Sequence, residues 1–240
     1  MSARLRSEEG FSIVEVLTAL TVGLVVLGAA FQLVGYSTTL TKATQDRVDT
    51  AQRGRQGLEA ITTSLRSIVC VSDGTQKAGP VTSASGSNVD FYANTGRPND
   101  PPQLRSLTYS GTTITLASTP AAAKTSPVGA VTLPVTGTPV RTALVENAVP
   151  IDAATPIFRF MTYDGTALGN DTLTPLSLGD PVAAADLPKM LWVEVNFRVR
   201  PLGATANSSK DAIFKGKAFF RAADPMQLTD DDNPTNGITC

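Results

Sequence analysis

Apolar positions follow two different patterns along the first seventy residues. From Val16 to Val34 no side chain is charged, and the apolar character extends to every side of a helix through Tyr36. A helix that is apolar all round belongs in lipid or in the core of a helical assembly. The run is also about long enough to span a bilayer. Beyond Thr41 the pattern narrows to a stripe. Val48, Ala51, Leu58, Ile61, Leu65 and Ile68 recur three and four residues apart, and Lys42, Asp46, Arg47, Asp49, Arg53, Arg55, Glu59 and Arg66 supply polar faces. Both patterns predict helix, one element from about Phe11 to Val69. All 16 prolines lie at Pro80 or later, and a proline inside a helix costs about 3 kcal/mol. At 1.5 Å per residue such a helix reaches roughly 90 Å, more than a compact domain can cover. Gly23, Gly28 and Gly35 in the apolar half suggest loosening or close helix packing, and Gly54 and Gly57 suggest a local bend.

After Pro80 the period changes to two, with Gly, Pro, Asn and Asp as punctuation. Asn88–Ala93 alternates, with Val89, Phe91 and Ala93 on one face. Leu104–Tyr109 and Thr112–Ala117 flank Ser110-Gly111 as a hairpin. Ile157–Tyr163, Leu191–Arg200 and Ile213–Arg221 are the later strands. In Leu191–Arg200 the apolar residues Leu191, Val193, Val195, Phe197 and Val199 share one face, and Trp192, Glu194, Asn196, Arg198 and Arg200 form a solvated, mixed-charge face. Phe214, Phe219 and Phe220 are expected in the core. Ser118–Pro139, rich in Ala, Thr, Pro and Gly, reads as a loop or edge excursion. The expected fold is α+β, a long N-terminal α-helix packed against an antiparallel β-sheet head.

Composition narrows the function classes. The net charge of −1 gives no global case for nucleic acid or anionic lipid. Histidine is absent, which removes the commonest general base and the commonest metal ligand. No nucleophile elbow, phosphate loop or Cys-x-x-Cys pair is present. Asp90, Glu146, Asp164, Asp180 and Glu194 are scattered without a general acid–base spacing. Arg97, Arg105, Arg141, Arg159, Arg198, Arg200 and Arg221 read as solvated strand faces, so DNA or a surface ligand finds no support. The chain therefore reads as a non-enzyme without a cofactor. Asp230, Asp231 and Asp232 are the only calcium-type cluster, and they lack a complete calcium-loop pattern. Two cysteines, Cys70 and Cys240, allow one intramolecular disulfide in an exported chain; two free thiols are the alternative.

The remaining feature is Glu15, a carboxylate at the head of the apolar run. In lipid it costs roughly 2.5–3.5 kcal/mol at the bilayer centre and less near the edge. Ahead of it lie a short polar leader with Arg4 and Arg6 and a Gly10-Phe11 junction. Two plainer readings exist: a secretory signal cut near Leu27-Gly28-Ala29-Ala30, and a simple membrane anchor. Neither accounts for Glu15 together with Gly10-Phe11. The stretch Gly10, Phe11, Ser12, Ile13, Val14, Glu15, Val16, Leu17 resembles the class III signal of type IV pilins and pseudopilins. Arg53–Arg66 is similar to the second helical half of PilW-type minor pilins and J-type pseudopilins.

The resemblance implies residues 1–10 as a leader, 11–36 as a membrane and filament-core helix half, 37–70 as an amphipathic half and 71–240 as a β-rich head. It implies cleavage after Gly10 by a prepilin peptidase, N-methylation of Phe11 and a role for Glu15 in assembly. The implied partners are membrane lipid, an inner-membrane assembly platform and other pilins or pseudopilins in a helical filament. The implied location is first the cytoplasmic membrane, with the head outside, and then a surface pilus or a periplasmic or cell-wall pseudopilus. A head of about 170 residues favours a minor subunit with priming, tip or adhesion roles. A membrane-anchored binding domain that never polymerises, such as an adhesin or lectin, is the other reading.

Overall fold

The structure, a computed structural model, describes residues 12–72, 77–94, 101–122, 131–163, 175–201 and 211–220. The chain divides into two compact units, Met1–Asp46 and Arg47–Cys240. The main helix, α1 (Ile13–Arg66), is continuous over 54 residues, so Gly54 and Gly57 do not break it. It ends three residues before the sequence pattern does. The Ser67 N–H is shared between the Thr63 and Ser64 carbonyls, both at 3.2 Å, and the chain then passes directly into sheet pairing. Ile68 bridges Ala93, and the Val69 N–H donates to the Tyr92 carbonyl at 2.9 Å. The stripe at its end thus continues as β-type contact rather than as another helical turn.

Twelve described strands follow, all paired antiparallel. A short pair, β1 (Val71–Ser72) and β2 (Lys77–Ala78), precedes a five-stranded meander in chain order. Its strands are β3 (Val81–Ser85), β4 (Asn88–Ala93), β5 (Gln103–Ser110), β6 (Thr113–Pro120) and β7 (Val140–Glu146). Ser110 pairs with Thr113, which leaves Gly111-Thr112 as a two-residue loop one position later than expected. Gly111 has φ +62°, a conformation glycine adopts without steric cost. The second sheet contains β8 (Ala148–Val149), β9 (Phe158–Tyr163), β10 (Pro175–Ser177), β11 (Trp192–Val199) and β12 (Ala212–Phe219). Its order is β10-β9-β11-β12, and β8 pairs with the end of β11 that β9 leaves free. Among the described residues the head therefore holds two five-stranded sheets and a short two-stranded pair where the sequence suggested one sheet.

Both sheets and the end of α1 share one core. Ile61, Leu65 and Ile68 meet Val89, Phe91, Leu107, Ile114 and Val145 from the first sheet, and Phe158, Phe160, Val193, Val195, Phe197 and Phe214 from the second. Phe197 stacks on Phe214 with ring centroids 5.5 Å apart. The buried helical stripe is Thr50, Gly54, Gly57, Ile61, Ser64 and Leu65. Val48, expected in the stripe, is 47% exposed. The glycines are close-approach points: a Cβ on Gly54 would collide with the Phe214 ring, and one on Gly57 with Val145. A Cβ on Gly216 in β12 would come within 2.8 Å of Leu58. The helix thus lies against both sheets through missing side chains.

Three expectations about faces need correction. In β11 the polar-side residues Trp192 and Asn196 are buried, so that face is covered as well as the apolar one. Trp192 packs with Met161 and Leu191 and against Phe219, at 5.7 Å between centroids. Phe219 accordingly faces outward and is 58% exposed, because strand parity sets it opposite Phe214 and Phe220. The stretch after β6 is not all excursion, since β6 runs to Pro120 and Val131 is buried with Val71, Tyr92 and Ala121.

Candidate functional site

The N-terminal unit carries the candidate assembly site. Ser12 caps α1: its side-chain oxygen accepts the Val14 N–H at 3.3 Å, and its carbonyl accepts from Glu15 and Val16 at 2.9 and 3.2 Å. Glu15 stands in the first helical turn, where unpaired backbone N–H groups and the helix dipole favour an anion. Within that unit the apolar side chains are open on all sides. Ile13 is 79% exposed, Val25 73% and Leu33 70%, values an aqueous surface does not explain. The helix is long and apolar enough to cross a membrane. Gly23, Gly28 and Gly35 have no neighbouring atom within reach of a Cβ, so their close-packing potential is unused within the chain.

The threonines of this helix are chemically quiet. Thr18 donates its hydroxyl to the Glu15 carbonyl at 3.0 Å, and Thr21 donates to the Thr18 carbonyl at 2.9 Å. Thr38, Thr39, Thr41 and Thr44 do likewise to carbonyls three or four residues back. Each hydroxyl is thereby satisfied inside its own helix. Gly10 and Phe11, the expected cleavage and methylation positions, lie outside the described residues. Asp230, Asp231, Asp232 and Cys240 do too. Cys70 is disulfide-bonded, and no described cysteine is free.

In the head the scattered carboxylates and arginines have separate occupations. Asp90 accepts from the Ser83 hydroxyl at 2.7 Å and the Asn88 amide at 3.1 Å. Asp180 accepts the Gly86 N–H at 2.8 Å, tying the β3–β4 turn to the segment before β11. Glu194 pairs with Lys217 across β11 and β12 at 3.1 Å. Arg198 and Arg200 converge on the buried Asp211 carboxylate, at 3.6 and 3.7 Å. Arg105 is different. It faces the helix, among the described residues its guanidinium hydrogen-bonds to Gln103, Ser64 and Ser67, and burial lowers its pKa. Arg105 is thus not on a solvated strand face, because the end of α1 crosses that face, which alternation within a strand does not record. Asp164, Arg97 and Arg221 lie outside the described residues. Among the described residues, no group of three His, Cys, Asp or Glu side chains is placed to hold a metal.

No protein-family model matches the chain, and no curated protein matches it either. Among solved structures, it is similar to a chain in the crystal structure of the GspK-GspI-GspJ complex from the enterotoxigenic Escherichia coli type 2 secretion system. The identity is 14%, the TM-score 0.39, and the match covers 72% of this chain and 97% of that chain.

Proposed function

We propose that the chain is a minor pilin or pseudopilin, a structural subunit with no catalytic activity of its own. The observation that carries the reading is the exposed apolar helix surface with a single carboxylate, Glu15, at its head. The same helix continues into a segment packed by glycine contacts on an antiparallel head. In this reading a prepilin peptidase cuts after Gly10, the Phe11 amine is methylated, and the subunit waits in the cytoplasmic membrane with its head outside. An assembly platform then transfers it into a filament of other pilins or pseudopilins, at a surface pilus or a periplasmic or cell-wall pseudopilus. Priming, tip and adhesion roles suit a head of this size. Cys70 pairs with Cys240 and ties the tail to the helix end.

Glu15 has its role at the transfer step. The Phe11 amine of one subunit approaches Glu15 of another, and each neutralises the other. Both ions lose water on pairing, so the contact serves register more than net stability: an unpaired charge in a dry core is the costly state. Intact-mass and N-terminal peptide analysis of protein from native membranes and sheared filaments tests the reading. The expected result is an N-methylated Phe11 terminus, present in the filament fraction. A start near Phe31 or an uncut Met1 would replace it with a secreted or merely anchored binding domain. Glu15→Ala is expected to leave head folding intact and to reduce filament incorporation. Normal incorporation of that variant removes the assembly role.

A further inference from the structure

The face of the first sheet that turns away from α1 carries hydroxyls where the core face carries aliphatic groups. Asp90, Ser106, Ala117 and Arg141 stand opposite one another in a single row across β4, β5, β6 and β7. Asn88, Thr108, Thr115 and Ala143 form the row beside it. On the other side the segment before β7 rises over the sheet: Val131 is buried with Tyr92, and Leu133 and Val135 pack there with Leu104. Against that wall lies a groove of about 440 Å³, with Leu104 and Pro139 on its apolar side and Ser106, Thr108 and Thr115 along its floor. Small-ligand pockets span roughly 300–1,000 Å³. Asp90 and Arg141, the charged ends of the row, are three strand spacings apart, roughly 14 Å.

Those two ends have opposite hydrogen-bonding character. Asp90 is held from behind, its Oδ2 accepting from the Ser83 hydroxyl at 2.7 Å and the Asn88 amide at 3.1 Å. Because the carboxylate takes the amide N–H, the Asn88 Oδ1 turns to the floor and accepts the Thr108 and Ser106 hydroxyls at 2.8 and 3.2 Å. With those protons committed, Ser106, Thr108 and the second Asp90 oxygen offer lone pairs to a ligand. Arg141 offers only donors; it is exposed, and among the described residues it makes no ion pair. We propose that the groove binds an acidic oligosaccharide, whose hydroxyls donate to the Asp90 end and whose carboxylate sits on Arg141. Leu104, Ala117 and Pro139 give the C–H faces of the sugar rings aliphatic contact. A peptide suits the floor poorly, since β5 and β6 are paired along both edges and have no free backbone for an added strand. Nucleic acid suits it poorly too, since no aromatic side chain lines the groove and Asp90 opposes a phosphate. A lone small anion would use Arg141 and leave the acceptor end idle. The site lies within the head and stands apart from processing at Phe11.

The test applies the full chain in detergent micelles to an array of uronate- and sialate-bearing oligosaccharides, their carboxyl-reduced counterparts and neutral oligosaccharides. Poly-L-glutamate serves as a polyanion without hydroxyls. The expected result is retention on at least one acidic glycan, with the carboxyl-reduced form bound about tenfold or more weakly. Arg141→Ala produces the same loss, and Thr115→Val, which removes one floor hydroxyl at equal size, weakens binding about fivefold. Both variants are expected to keep the parent's thermal midpoint, which separates a lost ligand contact from a misfolded head. Four results would overturn the inference: no glycan retained, reduced or neutral glycans bound as well as acidic ones, retention indifferent to Arg141→Ala, or poly-L-glutamate bound as tightly as the glycan. Absence of Phe11 processing bears on the filament reading alone.

Discussion

Gly57 and Gly54 hold the helix close to two different sheets, with Val145 on one side and the Phe214 ring on the other. Gly57→Ala is expected to lower stability by about 1–2 kcal/mol, because overpacking outweighs the roughly 1 kcal/mol gained in helix propensity. Urea unfolding of the variant alone and with Val145→Ala measures this; partial rescue in the double variant identifies the contact. Asp211 sits at a similar pivot, since Arg198 and Arg200 both lean on its carboxylate. Asp211→Ala is expected to cost about 3 kcal/mol, the usual scale for removing one partner of a buried charge pair. A thermal midpoint unchanged from the parent would refute that. Neither role was legible in the sequence. A glycine carries no mark of the ring beside it, and Asp211 is remote in sequence from the Pro150 carbonyl that also receives Arg198.

At the scale of elements, alternation locates strands wherever apolar residues recur at period two, whatever covers the second face. The strands at Asn88–Ala93 and the Leu104–Ala117 hairpin appear where the period placed them, each within a few residues. The long helix follows from its two apolar patterns and the lack of proline. β3, β8 and β10 show no clear period because they are short, or rich in Ser, Thr and Ala, and β7 loses its alternation to a register shift at Leu144. β11 misled for another reason: a second layer covers part of its polar-looking face, which no within-strand pattern records. β12 offers a direct check of parity. Phe214→Ala, in the core, is expected to cost about 3–5 kcal/mol, and Phe219→Ala, on the outer face against Trp192, about 1 kcal/mol. Equal losses in chemical denaturation would contradict the assigned faces.

The whole molecule joins a unit whose apolar surface is unsatisfied to a head with a core of its own. The first was legible because uniform apolarity and one misplaced charge need no tertiary knowledge. If the disulfide at Cys70 closes with Cys240, it encloses about 170 residues, and the chain-entropy model allows up to about 5 kcal/mol. Reduction is then expected to lower the thermal midpoint and to slow migration on a non-reducing gel relative to the oxidised form. Identical behaviour with and without reductant would rule the tie out.

The threonine hydroxyls of the N-terminal helix add one consequence. Because each already donates to a carbonyl of its own backbone, the helix changes apolar surroundings without exchanging any of those hydrogen bonds. What a solvent sees at these positions is mainly the methyl group. Under the proposed filament reading, Glu15 and Gln32 are then the side chains between Ile13 and Val34 whose polar groups are not already satisfied by a hydroxyl bond to the helix's own backbone.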